Sequence, residues 1–373
     1  MPPEGRRVLL LSNFFTQGHG GTPESVLLLA REIAAYGIAT DVFCGMGLLR
    51  DAHNREALPA ANDNALFSTG APDVRRYSGL FVAGSWNRRA PLVALRAALH
   101  GIPVSYAAKG CLCAVEFSRL RDMRRVPYFL AIEWILFALA RKVVFSSLAE
   151  KRASVLPEWV WRRRAVILPE PFRGEGRGSG VPASDMLTVG FLAEISPRKG
   201  LHELIAGLGR HLATRPDLKI RLKIGGEVRR GSEAYFENCK DLAIRNGSAA
   251  HIEWHGPVRG GDRKDFYRSL DMFFCPSGFE SFGLTPLEAL WQGRPVCVAP
   301  SIGLLEHLSR DAPVLRLPDL SEASVAAAIA ETAQNIEIWR SKGHAWEGRH
   351  ALTRSNAEIA GDFARILLDQ KPV

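Results

Sequence analysis

The sequence predicts an α/β protein built from two doubly wound, parallel-sheet domains. Three observations predict it. Apolar runs such as "RVLLLSNF", "GLFVAGS" and "MLTVGFLA" are continuous, without alternation, as a strand covered on both faces requires. Helical patterns follow the runs, and strand–helix alternation argues a parallel sheet. The alternation then pauses at "RGEGRGSGVPAS", residues 173–184, a Gly/Ser-rich and apolar-poor linker, and restarts beyond it.

In chain order, the first half opens with "RVLLLSNF", the helical "TPESVLLLAREIAAYG" and the strand "ATDVFCG". Then come "GLFVAGS", the helical "APLVALRAALHG", the strand "IPVSYAA" and a long helical stretch from about Arg124 to Arg141. The strands "KVVFSS" and "AVILPEPF" close this half. After the linker the units are "MLTVGFLA", "GLHELIAGLGRHLA", "LKIRLKIGG", "SEAYFENCKDLAIRNG", "HIEWHG", "GDRKDFYRSL", "DMFFCPS", "TPLEALWQG" and "RPVCVAP". The expected domains are 1–175 and 183–350. Residues 351–373 form a terminal helix that packs on either half, a return to the first domain being one arrangement. Two Rossmann-like halves would face each other across a cleft at the C-terminal ends of both sheets.

Composition bounds the function. A chain of 373 residues, 47% apolar and 23% charged, reads as an ordinary soluble globular protein and excludes collagenous and disordered classes. The run "VPYFLAIEWILFALA" has 15 residues and contains Glu133, too short to span a bilayer and read as a core helix. The N-terminal apolar run is too short for a signal peptide. Six scattered cysteines, with only Cys111 and Cys113 close together, fit no zinc spacing and read as reduced thiols of a cytosolic protein. Charge is uneven: residues 1–180 hold 24 Lys and Arg against 15 Asp and Glu, while 181–373 hold 24 of each. The first half therefore meets an anionic partner, or the halves meet different ones. Basic residues interleaved with aromatics in "RLRDMRRVPYF" and "WVWRRRA" suit an anionic membrane surface. They suit equally a solvated face or a site for a phosphorylated glycan.

The chemistry concentrates in "GFESFGLTPLEAL", residues 278–290, where Glu280 and Glu288 stand eight apart. "DMFFCPS" is a buried strand, and "TPLEALWQG" reads as a helix with Thr285 as N-cap and Pro286 at its first position. Taken alone, Glu288 is the carboxylate of a T-P-L-E capping box. The loop before it adds a second carboxylate, Phe282, and the backbone N–H groups of Gly283 and Leu284 at a helix N-terminus, where anions bind. Such a site suits a phosphorylated, hydroxyl-bearing ligand.

"PSGFESFGLTPLEALWQGRPV" resembles the signature of the retaining glycosyltransferases of family 4, whose GT-B fold has two facing Rossmann-like domains. The resemblance implies a nucleoside-diphosphate sugar as donor. Glu288 would bind ribose hydroxyls and Glu280 those of the sugar, with Phe282, Gly283 and Leu284 touching sugar and phosphate. In "VGFLAEISPRKGLHELIAGL", Lys199 and Gly200 match the family's basic loop, so Lys199 would neutralise the leaving diphosphate. Glu194 stands where the family carries an arginine, and Arg198 is the residue at hand to replace it. Gly20 and Gly21 match the family's Gly-Gly loop, and also a plain tight turn. Lys109 stands at a basic acceptor-side position, or is a surface lysine. Gly256, Pro257 and Val258 lie where the nucleotide base often sits. No Asp-x-Asp pair occurs, so neither a metal nor any other cofactor is expected.

The expected function is transfer of a sugar to a glycan or lipid-linked acceptor in cell-surface polysaccharide biosynthesis, lipopolysaccharide included. The protein would be cytoplasmic or peripheral on the inner leaflet, with no nucleic acid among its partners. A degenerate nucleotide- or glycan-binding relative and a nucleotide-sugar epimerase of related fold are the alternatives. An oxidoreductase is disfavoured because neither half carries G-x-G-x-x-G.

Overall fold

The computed structural model describes residues 6–13, 15, 21–60, 63–85, 87–114, 126–128, 131, 133–174, 185–346 and 352–368. The chain forms two compact units, residues 1–173 with 354–373, and residues 174–353. The division falls at Arg173–Gly174, and most of the sequence-predicted linker, 175–184, lies outside the described residues.

The first unit holds β1 (Arg6–Ser12), β2 (Ile38–Cys44), β3 (Gly47–Leu49), β4 (Gly79–Ala83), β5 (Val104–Ala107), β6 (Lys142–Phe145) and β7 (Ala165–Ile167). Their order is β3-β2-β1-β4-β5-β6-β7, parallel except for the β2–β3 hairpin. Helices α1 (Gly21–Ala34), α2 (Ala90–Leu99), α3 (Val126–Tyr128), α4 (Trp134–Leu139), α5 (Leu148–Ala153) and α6 (Glu158–Trp161) connect them. Over the helical stretch expected at about 124–141, the described residues 126–128, 131 and 133–139 are all helical, and the stretch ends where Ala140 turns extended.

The "VLLL" of β1 is buried throughout, and Leu9 and Leu11 share a core with Val93, Ala94 and Ala97 of α2 and Leu136 and Phe137 of α4. The chain returns after Arg354: α13 (Asn356–Leu367) packs on α1, and Phe363 meets Phe81 edge-on at 5.2 Å. Asn356 clips Phe172 in this unit, accepting from its N–H at 3.0 Å and donating to its carbonyl at 2.7 Å. Asp41 is fully buried, and Arg7 (2.5 Å), Tyr77 (2.9 Å) and the Asp51 N–H (2.9 Å) satisfy it.

The second unit holds β8 (Leu187–Leu192), β9 (Ile220–Gly225), β10 (Ile252–Gly256), β11 (Met272–Cys275), β12 (Val296–Val298) and β13 (Val314–Arg316), all parallel in the order β10-β9-β8-β11-β12-β13. Its helices are α7 (Leu201–Thr214), α8 (Glu233–Arg245), α9 (Gly261–Arg268), α10 (Leu284–Trp291), α11 (Glu322–Gln334) and α12 (Ile336–Trp346). Leu201, Leu204, Ile205 and Leu208 of α7 form the apolar stripe that seats it on the sheet beside α11. Buried Asp271 ties β11 to its surroundings, accepting from the Thr188 N–H at 2.7 Å and from Arg340 at 2.9 Å. Strand order reverses between β8 and β11, which is where open α/β sheets bind ligands.

Candidate functional site

The loops leaving β8 and β11 meet at this reversal. A short 3₁₀ turn, Pro197–Lys199, ends at Gly200, whose φ of 74° belongs to the left-handed region. A Cβ there would lie 1.9 Å from the Pro276 carbonyl oxygen, so only glycine lets the two loops approach this closely. The Gly278 N–H donates to the Arg198 carbonyl at 2.9 Å, locking one loop on the other.

This contact brings Lys199 and Glu280 together. The ammonium donates to Glu280 Oε1 at 2.5 Å, and Arg198 stands 4.0 Å from Oε2 while donating to the Phe279 carbonyl at 3.2 Å. Burial pushes the Glu280 carboxyl up. The charges of Lys199 and Arg198, with hydrogen bonds from Lys199 and Ser277, outweigh it and hold the group below its ordinary value. Glu280 is therefore an ionised acceptor at neutral pH. The neighbouring Cys275 thiol, pushed up to about 11 by burial and then by the Glu280 charge, stays protonated.

Residues 280–304 fix the loop. The Glu280 N–H donates to the Ser301 carbonyl (3.2 Å), the Gly303 N–H to Glu280 (3.0 Å) and the Leu304 N–H to Phe282 (2.6 Å). The Phe282 ring is turned inward against His307, with centroids 5.6 Å apart, so this residue offers the site backbone and not its ring. Gly283, with φ 112°, is the N-cap of α10, and Leu284 is its first residue. The expected cap at Thr285 is corrected: the helix starts earlier because the left-handed turn that only glycine takes easily sits at 283. Pro286 therefore lies inside the first turn, and Glu288 a turn further in.

Glu288 makes no capping box. Arg263 Nη2 sits between its two carboxylate oxygens, 2.5 Å from each, and the Tyr267 hydroxyl donates to Oε2 at 2.7 Å. Burial and then the Glu288 charge push the Tyr267 phenol well up, so it remains a donor. Sequence reasoning did not single out Arg263 and Tyr267. The available signal was their i, i+4 spacing, which puts both on one face of α9, beside α10.

The remaining predicted residues fall in different places. Glu194 pairs with Arg229 at 3.6 Å, and the Arg229 N–H donates to the Ile195 carbonyl at 3.1 Å. A cation from the loop after β9 thus meets the β8 loop where the sequence carries Glu194. Gly256 ends β10 with φ 66° and accepts from the Gly226 N–H at 2.7 Å; Pro257 is exposed, and Val258 packs near Gly225. In the first unit, Lys109 (φ 53°) donates to Glu170 at 2.5 Å, and Ser25 hydrogen-bonds the other carboxylate oxygen. Lys109 is therefore a neutralised, largely buried lysine and not a surface one. Gly21 is the first residue of α1, and Gly20 lies outside the described residues.

Residues 185–335 match the family described as Glycosyl transferases group 1. The chain is 31% identical over 188 residues to the D-inositol 3-phosphate glycosyltransferase of Actinosynnema mirum, covering 47% of this chain and 45% of that protein. It is 30% identical over 119 residues to the mannosylfructose-phosphate synthase of Agrobacterium fabrum, covering 32% and 26% respectively. The match thus spans less than half the length of either relative. The solved structure of Anabaena Alr3699/HepE in complex with UDP and glucose superposes with a TM-score of 0.71 at 16% identity, over 98% of this chain and 100% of that one. Residues 185–335 are thus similar to the group 1 glycosyl transferases, within a chain that has the two Rossmann-like domains of the GT-B fold.

Proposed function

We propose that this protein is a retaining glycosyltransferase of family 4 that moves a hexose-type sugar from a nucleoside-diphosphate donor to a glycan or lipid-linked acceptor, in the making of a cell-surface polysaccharide at the cytoplasmic face of a membrane. The observation that carries it is the pairing at the strand reversal: ionised Glu280 held by Lys199 at 2.5 Å, next to the N-terminus of the helix that presents Glu288. Glu288 takes ribose hydroxyls and Glu280 those of the sugar. Lys199, Arg198 and the α10 N-terminus meet the diphosphate, whose charge grows as the anomeric C–O bond breaks. The acceptor oxygen forms the new bond on the same face, and its proton passes to the leaving phosphate oxygen. No protein nucleophile is needed, and side-chain cations do the work a divalent metal does elsewhere.

A second reading keeps the chemistry and changes the acceptor. The names of two relatives, the inositol 3-phosphate enzyme and the mannosylfructose-phosphate synthase, favour a small phosphorylated polyol or sugar. The test is a thermal-shift panel of uridine, guanosine and adenosine diphosphates and their sugars, followed by transfer assays on lipid-linked and phosphorylated acceptors. One nucleotide class should raise the melting temperature and support transfer with EDTA present. No stabilisation by any of them, with no transfer, would overturn the proposal in favour of a non-catalytic relative.

A further inference from the structure

We propose that the outer helical layer of the first unit, formed by α2, α4 and α6, is the face by which this protein lies on an anionic lipid bilayer. This deepens the membrane part of the function proposed above by naming the surface, and it is independent of donor binding.

The α2 sequence "APLVALRAAL" places two kinds of apolar residue on two faces. Ala90, Val93, Ala94 and Ala97 point into the core. Leu92, Leu95 and Leu99 recur at i, i+3 and i+7 on the opposite stripe and are 53%, 42% and 76% exposed. The sheet does not need this second stripe. It continues onto the neighbouring helices: α2 packs on α4, where Trp134 and Ile135 are exposed, and Trp134 meets Trp159 of α6 with ring centroids 6.4 Å apart. Trp159 is 69% exposed. The topology explains why these helices share a side. The chain steps β4-β5-β6-β7 in one direction along the sheet, and right-handed crossovers place every connecting helix of that walk on one face. Eight of the twelve exposed large apolar side chains among the described residues fall within 87–163; the others are Tyr36, Leu66, Ile244 and Ile338. A joined apolar surface of this kind on a protein in water marks an interaction site.

Charge chooses the occupant. Among the described residues from 87 to 163, Glu158 is the one exposed carboxylate, while Arg96 on α2 and Arg162 and Arg163 after α6 are exposed. Within "WVWRRRA" the structure separates two roles. Trp161 is buried, and Arg164 donates inward to the Phe137 (2.8 Å) and Ala140 (2.6 Å) carbonyls, whereas Trp159, Arg162 and Arg163 face out. Leucines for the acyl boundary, tryptophans for the headgroup zone and arginines for lipid phosphates are the chemistry an anionic leaflet recognises. No helix among the described residues is long and apolar enough to cross a membrane.

The test is co-sedimentation of the full chain with vesicles of phosphatidylcholine alone and vesicles containing phosphatidylglycerol. Wild type should bind the anionic vesicles only, and less as salt rises. The triple variant Leu92→Ser/Leu95→Ser/Leu99→Ser and the variant Trp159→Ser should each lower the partition coefficient by about tenfold or more. Arg162→Glu/Arg163→Glu should abolish the preference for anionic lipid, and Ile244→Ser/Ile338→Ser on the second unit should change nothing. All these positions are exposed, so melting temperature and nucleotide binding should be those of wild type and exclude misfolding. Wild type remaining in the supernatant with both vesicle types, or the leucine variant binding as wild type does, would overturn the proposal. So would a wild-type dimer in light scattering that the leucine variant dissolves without any vesicle binding, since the face would then pair two copies. Loss of vesicle binding with donor binding retained leaves the proposed transferase reading intact; a wild type that binds vesicles but no donor counts against that reading alone.

Discussion

Replacing Arg263 by Met tests whether the cation on α9 is part of the proposed donor site or only a brace for α10. Arg263 Nη2 lies 2.5 Å from both oxygens of Glu288, with the two side chains 26% and 19% exposed. A carboxylate has about four lone-pair directions; Arg263 occupies two and Tyr267 a third. The carboxylate is thereby held at one rotation, with Oε1 the oxygen less occupied by these two partners. A hydrogen bond to a charged group contributes about 1.5–3 kcal/mol. Partial exposure screens this pair, so about 1–2 kcal/mol is the figure expected for the variant. The melting temperature of the second unit should fall by roughly 2–8 °C. If Glu288 receives ribose, donor affinity should weaken about fivefold to tenfold, the loss of roughly 1 kcal/mol of preorganisation. Isothermal titration with the best-binding nucleoside diphosphate and its 2′-deoxy and 3′-deoxy analogues separates the roles. In wild type, removing the hydroxyl that meets Glu288 should cost affinity; in Arg263→Met that cost should shrink, and Arg263→Lys should restore part of it. A lowered melting temperature with unchanged affinity for every analogue would refute the reasoning and leave the ion pair a structural one.

Other outcomes follow from the same geometry. If Lys199 meets the departing diphosphate as proposed, Lys199→Ala should lower kcat more than it raises donor KM, and steady-state kinetics reads the split. The lowered pKa of Glu280 means its contribution to stability is present above the ordinary glutamate value and is lost as pH falls through the lowered one, so Glu280→Gln should flatten the acid limb of a melting-temperature profile. Gly283→Ala should destabilise by about 1–2 kcal/mol, since φ is 112° and the new Cβ would stand 2.9 Å from Ile302; Gly278→Ala, with its closest neighbour at 3.7 Å, should melt as wild type does. Asp271→Asn removes the carboxylate that Arg340 and the Thr188 N–H share, and thermal denaturation should show a loss of about 3 kcal/mol, the low end for a broken buried pair because Glu337 still holds Arg340 at 2.6 Å.

The fold was legible because buried parallel strands write themselves as unbroken apolar runs. The hairpin strand β3 was not, since "GLL" is three residues and carries no period. Glu280 and Lys199 were legible as residues, but not as a pair: the 2.5 Å contact depends on Gly200 approaching Pro276, an event 76 positions away in sequence. The capping box was misplaced because T-P-L-E satisfies the local rule, while the helix start is decided by a glycine at φ 112° that no local rule ranks above threonine. Glu288, released from capping, then faces α9, and its partners come from a helix that sequence alone reads only as amphipathic.

The two glutamates are consequently held by different means. Glu280 sits on a loop that pairs with Ile302 in parallel-bridge fashion, and its cation comes from the β8 loop. Glu288 sits inside a helix, and its cation comes from the helix alongside. A disturbance of the β8 loop should therefore move the first carboxylate and spare the second, whereas one in α9 should do the reverse. Eight residues of spacing join two independently supported carboxylates across a single left-handed glycine. For a ligand that must be gripped at two separated hydroxyl-bearing groups, that independence has a use: each end can be positioned by its own ion pair, and the segment between them, Phe282 to Leu284, needs only to turn its backbone toward the charge in the middle.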